Sequence, residues 1–507
     1  MQLPSLLGHS AQLLRLIEHS QRPADVLASE YFRAKKYIGA KERRFISALV
    51  FASLRGRSAF EYCSKAASAG IMDEITKAQE RAHEAHQGKK TSAEVLFSEL
   101  GIITACALIG NPVGVGNMFE FVDDALGIAY EDLEGRIIVV GEAYSARLGI
   151  SNDAGIQFAL EIHETWSQIA ETVEEILSHE TFTPEAQELL AMRYATPRWM
   201  LSAWQEGTLE EGDWFSSVEL AASLLGAAPI PVRVNRMAAE REIVLSVLRG
   251  DSILARPGRL SPDAVLIDKR VNLLGTNLYK EGIIEIQDEA SQLAGFALSP
   301  QAGWRTLDAC AGAGGKALHI GALQKNRGEI IASDIEYQRL KELPLRAKRN
   351  GLSLISTIQL REKKASTGLP EQLAHLKGTC DAVVVDAPCS GIGTVRRMPM
   401  AKWRLTEEML QKHAQKQLAI LSSFSHAVKP GGVLLYLTCS LMPQENTHVV
   451  EAFLSANPDF TPEALAPVFA EHGVVIPSLS ADAPWVTLSP ARHGTDGFFI
   501  ARMRKTS

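Results

Sequence analysis

The sequence lacks an uninterrupted apolar run of the roughly 20 residues that a membrane-spanning helix needs. Its longest uncharged stretch, residues 101–119, is broken by Asn111, Pro112 and four glycines, so we interpret it as a buried helix and a turn. The N-terminus also lacks a basic segment followed by an apolar block, which argues against a secretory signal. These absences predict a cytoplasmic protein that does not contact a membrane.

Cysteine is scarce as well, with six residues in a chain of 507. The six are unevenly spaced, which excludes a disulfide framework, and no Cys-x-x-Cys pair or His–Cys cluster indicates a metal site. A composition of 46% hydrophobic and 22% charged residues is typical of a soluble globular chain. At roughly 100–200 residues per domain, the length predicts two to four domains. We expect a monomer.

An excess of basic residues, the usual sign of a nucleic-acid-binding protein, is missing from the chain as a whole, whose net charge is −7. The charge is unevenly distributed, with a net of +6 over residues 1–60, −17 over residues 61–285 and +4 over residues 286–507. Phosphate binding responds to the local field rather than to the total charge. The two basic ends are therefore compatible with RNA binding, although solvated helix faces would give the same pattern.

Three regions differ in the spacing of their apolar residues. Residues 1–188 show helical spacing, which predicts an all-α N-terminal domain. Residues 189–285 mix short alternating strands with a helix, which predicts a small α+β domain. Residues 286–507 alternate strands and helices, which predicts an α/β, doubly wound, Rossmann-like core that binds ligands at the carboxyl ends of its strands. The predicted core strands are 305–308, 329–334, 356–360, 382–386, 432–438 and 497–502.

A glycine-rich turn follows the first predicted strand of the core and precedes a helix. Its residues are Cys310, Ala311, Gly312, Ala313, Gly314, Gly315 and Lys316. Glycines let a ligand approach the backbone, and the helix offers its N-terminal N–H groups. The second strand ends in Asp334, whose carboxylate suits the two hydroxyls of a ribose. The turn fits neither a dinucleotide nor a phosphate loop, so a nucleoside such as S-adenosylmethionine is the favoured ligand, with a purely structural turn as the alternative.

Two cysteines follow two successive strands of the core. Cys389 lies in the segment Asp386-Ala387-Pro388-Cys389-Ser390-Gly391, and Cys439 lies in Thr438-Cys439-Ser440. Because the carboxyl ends of neighbouring parallel strands meet at one edge of a sheet, both thiols could face one cleft. The alternatives are two inert buried cysteines or half of a metal site.

These two segments, the second extended to Asn446, resemble signature motifs of the RNA (cytosine-5)-methyltransferase family. That family includes the bacterial RsmB and RsmF enzymes and the Sun-type proteins. The similarity covers about residues 190–507, with further similar segments at 197–199, 232–235, 287–291, 393–404 and 493–499. Residues 15–57 resemble the NusB-like, RNA-binding helical domain of RsmB.

The resemblance implies an enzyme that transfers a methyl group from S-adenosylmethionine to carbon 5 of a cytosine in RNA. It implies that Cys439 attacks carbon 6 of the base and that Cys389 assists the later elimination. Asp386 would hydrogen-bond the edge of the cytosine, and Lys316 would position the base or favour the thiolate, unless it only packs at the start of its helix. Asp386, Asp334 and the glycine-rich turn would hold the cofactor. No metal is implied.

Ribosomal RNA of the small subunit (16S) is the expected substrate because the domain order resembles that of RsmB, and transfer RNA is the alternative. Two features depart from the family. The turn lacks the usual proline, although the span from Cys310 to Lys316 is unchanged, and the acid expected to face the adenine after the third strand is not evident. Backbone contacts or Glu362 could replace that acid. The altered turn leaves one rival, a catalytically silent RNA-binding or assembly factor with the same fold.

Overall fold

A computed structural model of the chain describes residues 1–85, 93–109, 133–179, 183–206, 214–268, 271–361 and 368–506. The chain divides into two compact units, and each unit is formed by two separate stretches of the sequence. The first comprises residues 1–227 together with 395–404, and the second comprises residues 228–394 together with 405–507.

The described part of the first unit is built from helices whose apolar faces point inward. Leu13, Leu14 and Ile17, which lie on one face of the first helix, are all buried. Thr183 caps a later helix, because its hydroxyl accepts the backbone N–H of Ala186 at 3.2 Å. The helices are Leu3–Glu18, Ala24–Ala34, Ala40–Arg55, Arg57–Ser68, Met72–Ala85, Ala93–Ile109, Leu133–Leu148, Asn152–His179, Pro184–Arg193, Arg198–Glu206, Trp214–Ser223 and Met400–Arg404.

Residues 395–404 also belong to this helical unit, although they come much later in the sequence. The indole N–H of Trp403 donates to the carbonyl of Leu54 at 2.8 Å, and the Lys402 ammonium donates to the carbonyl of Arg55 at 2.7 Å. Burial lowers the pKa of Lys402 to about 7. The segment is thus part of the helical unit, although the chain on both sides of it belongs to the second unit.

The second unit begins with a small antiparallel sheet, which confirms the predicted α+β pattern. Its strands are Ile230–Val234 (β1), Ala255–Pro257 (β2), Ala264–Ile267 (β3) and Ile284–Ile286 (β4), in the order β2-β3-β1-β4. Helices Arg241–Gly250 and Asn277–Lys280 accompany the sheet. Strand β2 was not predicted because it is mostly exposed and carries no alternating apolar pattern.

The predicted Rossmann-like core is confirmed. Its strands are Arg305–Asp308 (β5), Glu329–Asp334 (β6), Ile355–Gln359 (β7), Cys380–Asp386 (β8), Val428–Thr438 (β9), Phe460–Pro462 (β10), Trp485–Leu488 (β11) and Phe498–Lys505 (β12). The order is β10-β12-β9-β8-β5-β6-β7, with β11 also paired to β12. Strands β5 to β9 pair in parallel, and apolar cores cover both faces. The helices are Glu289–Leu298, Gly315–Leu323, Tyr337–Leu340, Leu343–Arg349, Glu407–Ser425, Thr447–Ala456, Leu465–Ala470 and Pro490–His493.

Strands β10 and β11 were not predicted from the sequence, and the direction of the last strand also differs from the prediction. The last strand, β12, runs antiparallel to β9, so the sheet is not parallel throughout. The helix after β9 starts only at Thr447, because Asn446 closes the preceding loop. The Asn446 side chain accepts from the Thr438 hydroxyl at 2.6 Å and donates to the carbonyl of Ser440 at 3.0 Å. The loop after β9 is therefore longer and more closely tied than a simple strand–helix turn.

Candidate active site

The glycine-rich turn lies between the end of β5 and the helix Gly315–Leu323. Gly312 and Gly314 have φ values of +53° and +83°, a backbone region that favours glycine. At Gly314 a side chain would also overlap Leu343. The backbone N–H of Gly312 donates to the Asp334 carboxylate at 2.7 Å, and the N–H of Glu336 donates to its other oxygen at 2.7 Å. The turn and the end of β6 are thus joined through Asp334.

Asp308, at the end of β5, was not singled out in the sequence analysis. Its side chain is fully buried, and neither carboxylate oxygen has a well-formed hydrogen bond within the described residues. Burial, together with the nearby Asp386 carboxylate, raises the pKa of Asp308 to about 7. A buried acid without a partner is expected where a polar or cationic group of a ligand completes the site.

Lys316 and Asp386 form an ion pair across the carboxyl edge of the sheet, with Nζ and Oδ2 2.5 Å apart. Burial by itself would lower the pKa of Lys316, but Asp386 outweighs it, and the net effect is a raised pKa. Lys316 is therefore a cation at neutral pH. The pair brings together two predicted site residues that are 70 positions apart in the sequence.

The two cysteines at the ends of β8 and β9 face each other. The Sγ atoms of Cys389 and Cys439 are 3.3 Å apart, and both side chains are partly exposed. Hydrogen bonding to Cys439 and burial raise the pKa of Cys389 well above its ordinary value, and the Glu445 carboxylate contributes in the same direction. The expectation that both thiols face one cleft agrees with this placement. Burial also raises the pKa of Cys310 in the glycine-rich turn.

A close backbone approach fixes the two cysteine loops to each other and to the last strand. The N–H of Gly393 donates to the carbonyl of Cys439 at 2.9 Å, and the N–H of Gly497 donates to the carbonyl of Gly393 at 2.8 Å. A side chain at Gly393 would overlap the carbonyl oxygen of Gly497 and meet that of Cys439. Only glycine permits this three-way contact.

A buried carboxylate that the sequence analysis missed lies behind the two thiols. The side chain of Glu445 is fully buried and accepts the N–H of Ser390 at 2.8 Å and the amide of Gln417 at 2.9 Å. The hydroxyls of Ser390 and Ser440 also bond to it. The signal was present, because Glu445 lies in the family-like segment that ends at Asn446, but a single charged residue among polar neighbours gave no reason to expect burial.

Comparisons with known proteins identify the family. The model described as 16S rRNA methyltransferase RsmB/F matches residues 295–504. A Bacillus subtilis protein named "Probable ribosomal RNA small subunit methyltransferase B" is 34% identical over 321 residues, which are 62% of this chain and 68% of that protein. Ribosomal RNA small subunit methyltransferase B of Shewanella oneidensis is 32% identical over 325 residues, which are 64% and 70%. This chain belongs to the RsmB/F family.

Solved structures show the same fold as this RsmB/F-family chain. The crystal structure of PH0851 superposes with a TM-score of 0.65 at 23% identity and covers 99% of both chains. NSun6 from Pyrococcus horikoshii, solved with the S-adenosylmethionine analogue SFG, gives a TM-score of 0.52 at 19% identity and covers 62% of this chain and 99% of that chain. RsmB/F proteins are S-adenosylmethionine-dependent RNA methyltransferases, so the cofactor is S-adenosylmethionine.

The site of this RsmB/F protein fits that cofactor. The orphaned Asp308 carboxyl suits a cationic ligand, and the glycine-rich turn leaves the backbone open beside the helix Gly315–Leu323. Each Asp334 oxygen accepts one backbone N–H, and a carboxylate has further lone pairs for the ribose hydroxyls. Glu362, the candidate for the adenine side, lies outside the described residues.

Two further expectations concern absences in the RsmB/F chain. Within the described ranges, no group of three or more His, Cys, Asp or Glu side chains is arranged to hold a metal ion. In the same ranges, no helix combines the length and apolar character that a bilayer crossing needs.

Proposed function

We propose that this chain transfers a methyl group from S-adenosylmethionine to carbon 5 of a cytosine in 16S ribosomal RNA. The observation that carries the proposal is the pair of thiols, 3.3 Å apart, beside the Lys316–Asp386 ion pair. Two nucleophilic sulfur atoms at the carboxyl edge of a Rossmann-like sheet match a reaction that first forms and then breaks a covalent bond to the base. The relatives support the RNA class, since two of them are named for the ribosomal RNA of the small subunit.

The covalent step is needed because carbon 5 of cytosine is too weak a nucleophile to take a methyl group directly. The Cys439 thiolate adds to carbon 6, and the electrons of the 5,6 double bond make carbon 5 enolate-like. The cofactor supplies an electrophilic methyl group, which carbon 5 takes. The proton on carbon 5 must then leave while the bond between sulfur and carbon 6 breaks and the double bond re-forms. The target base must be unstacked to reach the two loops.

Cys389 is placed for the second half of this sequence. Its raised pKa keeps it a thiol, and its sulfur lies 3.3 Å from that of Cys439. As the bond between Cys439 and carbon 6 breaks, the Cys389 proton passes to the departing sulfur. In the same step the Cys389 sulfur accepts the proton of carbon 5 so that the double bond re-forms, and Cys439, which is now a thiol, loses its proton to solvent before the next cycle.

Lys316 and Asp386 act on the base and on the thiolate. Asp386 presents a carboxylate that can accept from the amino group of cytosine while Lys316 neutralises part of its charge. The Lys316 cation also interacts with Cys439. Asp334 and the turn from Cys310 to Lys316 hold the cofactor.

In this proposal, the regions that precede the core contact the RNA. Residues 1–188, whose first helices are basic, would bind RNA in the manner of a NusB-like domain, and residues 189–285 would add a small recognition domain. The proposed methyltransferase domain comprises residues 286–507, of which the segment 395–404 packs with the helical unit. Transfer RNA is the alternative substrate.

Bisulfite sequencing of ribosomal RNA from a strain that lacks the protein tests the function. We expect one cytosine of 16S RNA that resists conversion in the parent strain to become convertible, and to regain resistance with the intact gene but not with Cys439→Ser. A changed position in transfer RNA instead would favour the alternative substrate. If neither RNA class changes and the purified protein transfers no methyl group to RNA, the protein is a silent binding factor and the proposal is wrong.

A second prediction concerns the basic N-terminal helices. Arg33, Lys36 and Arg44 are exposed, whereas Arg43 donates to the carbonyl of Ile38 at 2.7 Å and Lys35 lies over the ring of Tyr31. Replacing the three exposed residues together by glutamate is expected to weaken RNA binding. It should also lower the slope of log K against log salt by roughly 0.7–0.9 for each phosphate that the protein no longer neutralises.

Filter binding at several salt concentrations measures both quantities. The single reversal Lys65→Glu is the matched control, because Lys65 is exposed on another helix of the same unit and pairs only locally with Glu61. Equal affinity and slope in the triple variant and the control would show that these charges are a solvated face.

A further inference from the structure

Arg346, on the helix Leu343–Arg349, connects the glycine-rich turn to the small antiparallel sheet. Its Nη1 group donates to the backbone carbonyl of Ala313 at 2.6 Å, and its Nη2 group donates to the Glu285 carboxylate of β4 at 2.7 Å. A guanidinium can hold two acceptors at once because its N–H groups form a rigid, planar fork. One side chain therefore fixes the position of the turn relative to the small sheet.

The contact acts on the peptide group between Ala313 and Gly314, where the turn enters its helix. Arg346 binds the carbonyl of this group, and the N–H of the same group donates to the carbonyl of Ala311 at 2.8 Å. Gly314 has a φ of +83° and packs so closely on Leu343 that a side chain would not fit. The peptide group is thus held on both sides at the point where the helix presents its first N–H groups to a ligand.

Glu285 is almost completely buried, with 1% of its side chain exposed. Besides Arg346, its carboxylate binds the Arg349 guanidinium and the Asn350 side-chain amide, which donates at 2.7 Å. A buried carboxylate needs such donors, and those of Arg349 and Asn350 remain when Arg346 is replaced. Replacing Arg346 alone therefore leaves Glu285 with a cation and an amide, and the fold is expected to survive.

We propose that Arg346 is a positioning residue for the cofactor, which holds the glycine-rich turn in the shape that binds S-adenosylmethionine and is itself held by Glu285. The inference rests on the proposed function, because it takes the turn as the cofactor site. Arg346 acts through the carbonyl of Ala313 and does not need to touch the cofactor. The affinity for S-adenosylmethionine accordingly depends on Glu285, a residue of the predicted small α+β domain.

Arg346→Ala removes the contact with the turn. We expect isothermal titration calorimetry of the full-length protein without RNA to show about tenfold weaker binding of S-adenosylmethionine, the order of effect of one lost hydrogen bond to a charged group. KM for S-adenosylmethionine should rise by a similar factor. The turnover number at saturating cofactor and KM for RNA should change by less than about twofold, a split that general damage to the fold would not give.

Arg349→Ala is the matched control, because Arg349 lies on the same helix and pairs with the same carboxylate. Among the described residues, its guanidinium stacks on the ring of Tyr279, 4.0 Å from the ring centre, and not on the turn. A general loosening between helix and sheet would affect both variants, whereas only Arg346→Ala should lose affinity for S-adenosylmethionine. Equal affinities in the two variants, whether both normal or both reduced, would overturn the proposal.

Arg346→Lys keeps the inference testable if Arg346→Ala does not fold. The lysine ammonium can remain paired with Glu285, but it lacks the fork that also reaches the carbonyl of Ala313. The proposal requires this variant to bind S-adenosylmethionine more weakly than the unaltered protein, and an equal affinity would overturn it. These affinities are measured without RNA, so failure of the proposed function would be seen separately, as an absence of methyl transfer to RNA.

Discussion

Replacing Cys389 with serine is expected to leave the protein covalently attached to its methylated RNA. Cys439 still adds to carbon 6 and the methyl group is still transferred, because neither step uses the Cys389 thiol. The later elimination stalls, since a serine hydroxyl at this position is a far poorer proton donor than the thiol. A denaturing gel should show a slow band that ribonuclease removes, and multiple turnover should be lost.

Cys439→Ser is the matched control, because it replaces a thiol with a hydroxyl at the facing position, 3.3 Å away. It should abolish both turnover and the slow band, and the double variant should resemble it. If the band instead appears only in Cys439→Ser, then Cys389 is the nucleophile and the two roles are reversed. If no variant gives a band while the unaltered protein is active, the covalent mechanism is wrong.

Asp334→Ala should weaken the binding of S-adenosylmethionine by about 1.5–3 kcal/mol, or roughly 10- to 150-fold, the range for lost hydrogen bonds to a charged group. The change removes the acceptor proposed for the ribose hydroxyls and also the partner of the Gly312 N–H, so the turn loses one anchor. Isothermal titration calorimetry without RNA measures the affinity directly.

Two comparisons separate the ribose contact from general damage to the turn. Asp334→Asn keeps one carbonyl acceptor for the Gly312 N–H, so it should bind S-adenosylmethionine more weakly than the unaltered protein even if its turn is intact. Cys439→Ser and Cys389→Ser should bind normally, because neither thiol lies in the turn. An unchanged affinity in Asp334→Ala would show that the ribose site has been assigned to the wrong residue.

The strand ends were predictable from the sequence because they combine two local signals, a short apolar run and a polar or glycine-rich turn. Asp308, Asp334, Asp386 and Thr438 all end strands of one sheet, in agreement with the predicted pattern. The proximity of the two thiols also followed, since β8 and β9 are neighbours and run in parallel. The alternation of strands and helices does not predict that β12 runs antiparallel to β9, because the residues of a strand do not show its direction relative to its neighbour.

The buried polar groups show where prediction from sequence stops. Glu445 looks like an ordinary surface residue near the start of a helix, and only its four donor groups, which belong to Ser390, Gln417 and Ser440, make its burial tolerable. Residues 395–404 pose a similar problem. Apolar and aromatic residues such as Trp403 predict burial, but the partner that covers them, here Leu54, is set by the tertiary fold.

The close approach at Gly393 affects how inherited or selected variants of this protein should be interpreted. Position 393 has no side chain and takes no part in chemistry, yet its backbone joins the loop of one cysteine to the carbonyl of the other and to Gly497. A missense change to alanine would force the three segments apart by the width of a methyl group and disturb the distance between the sulfur atoms. In a genetic screen such a variant would show the same loss of function as a variant without the nucleophilic cysteine, although its defect is a changed distance between the two cysteine loops.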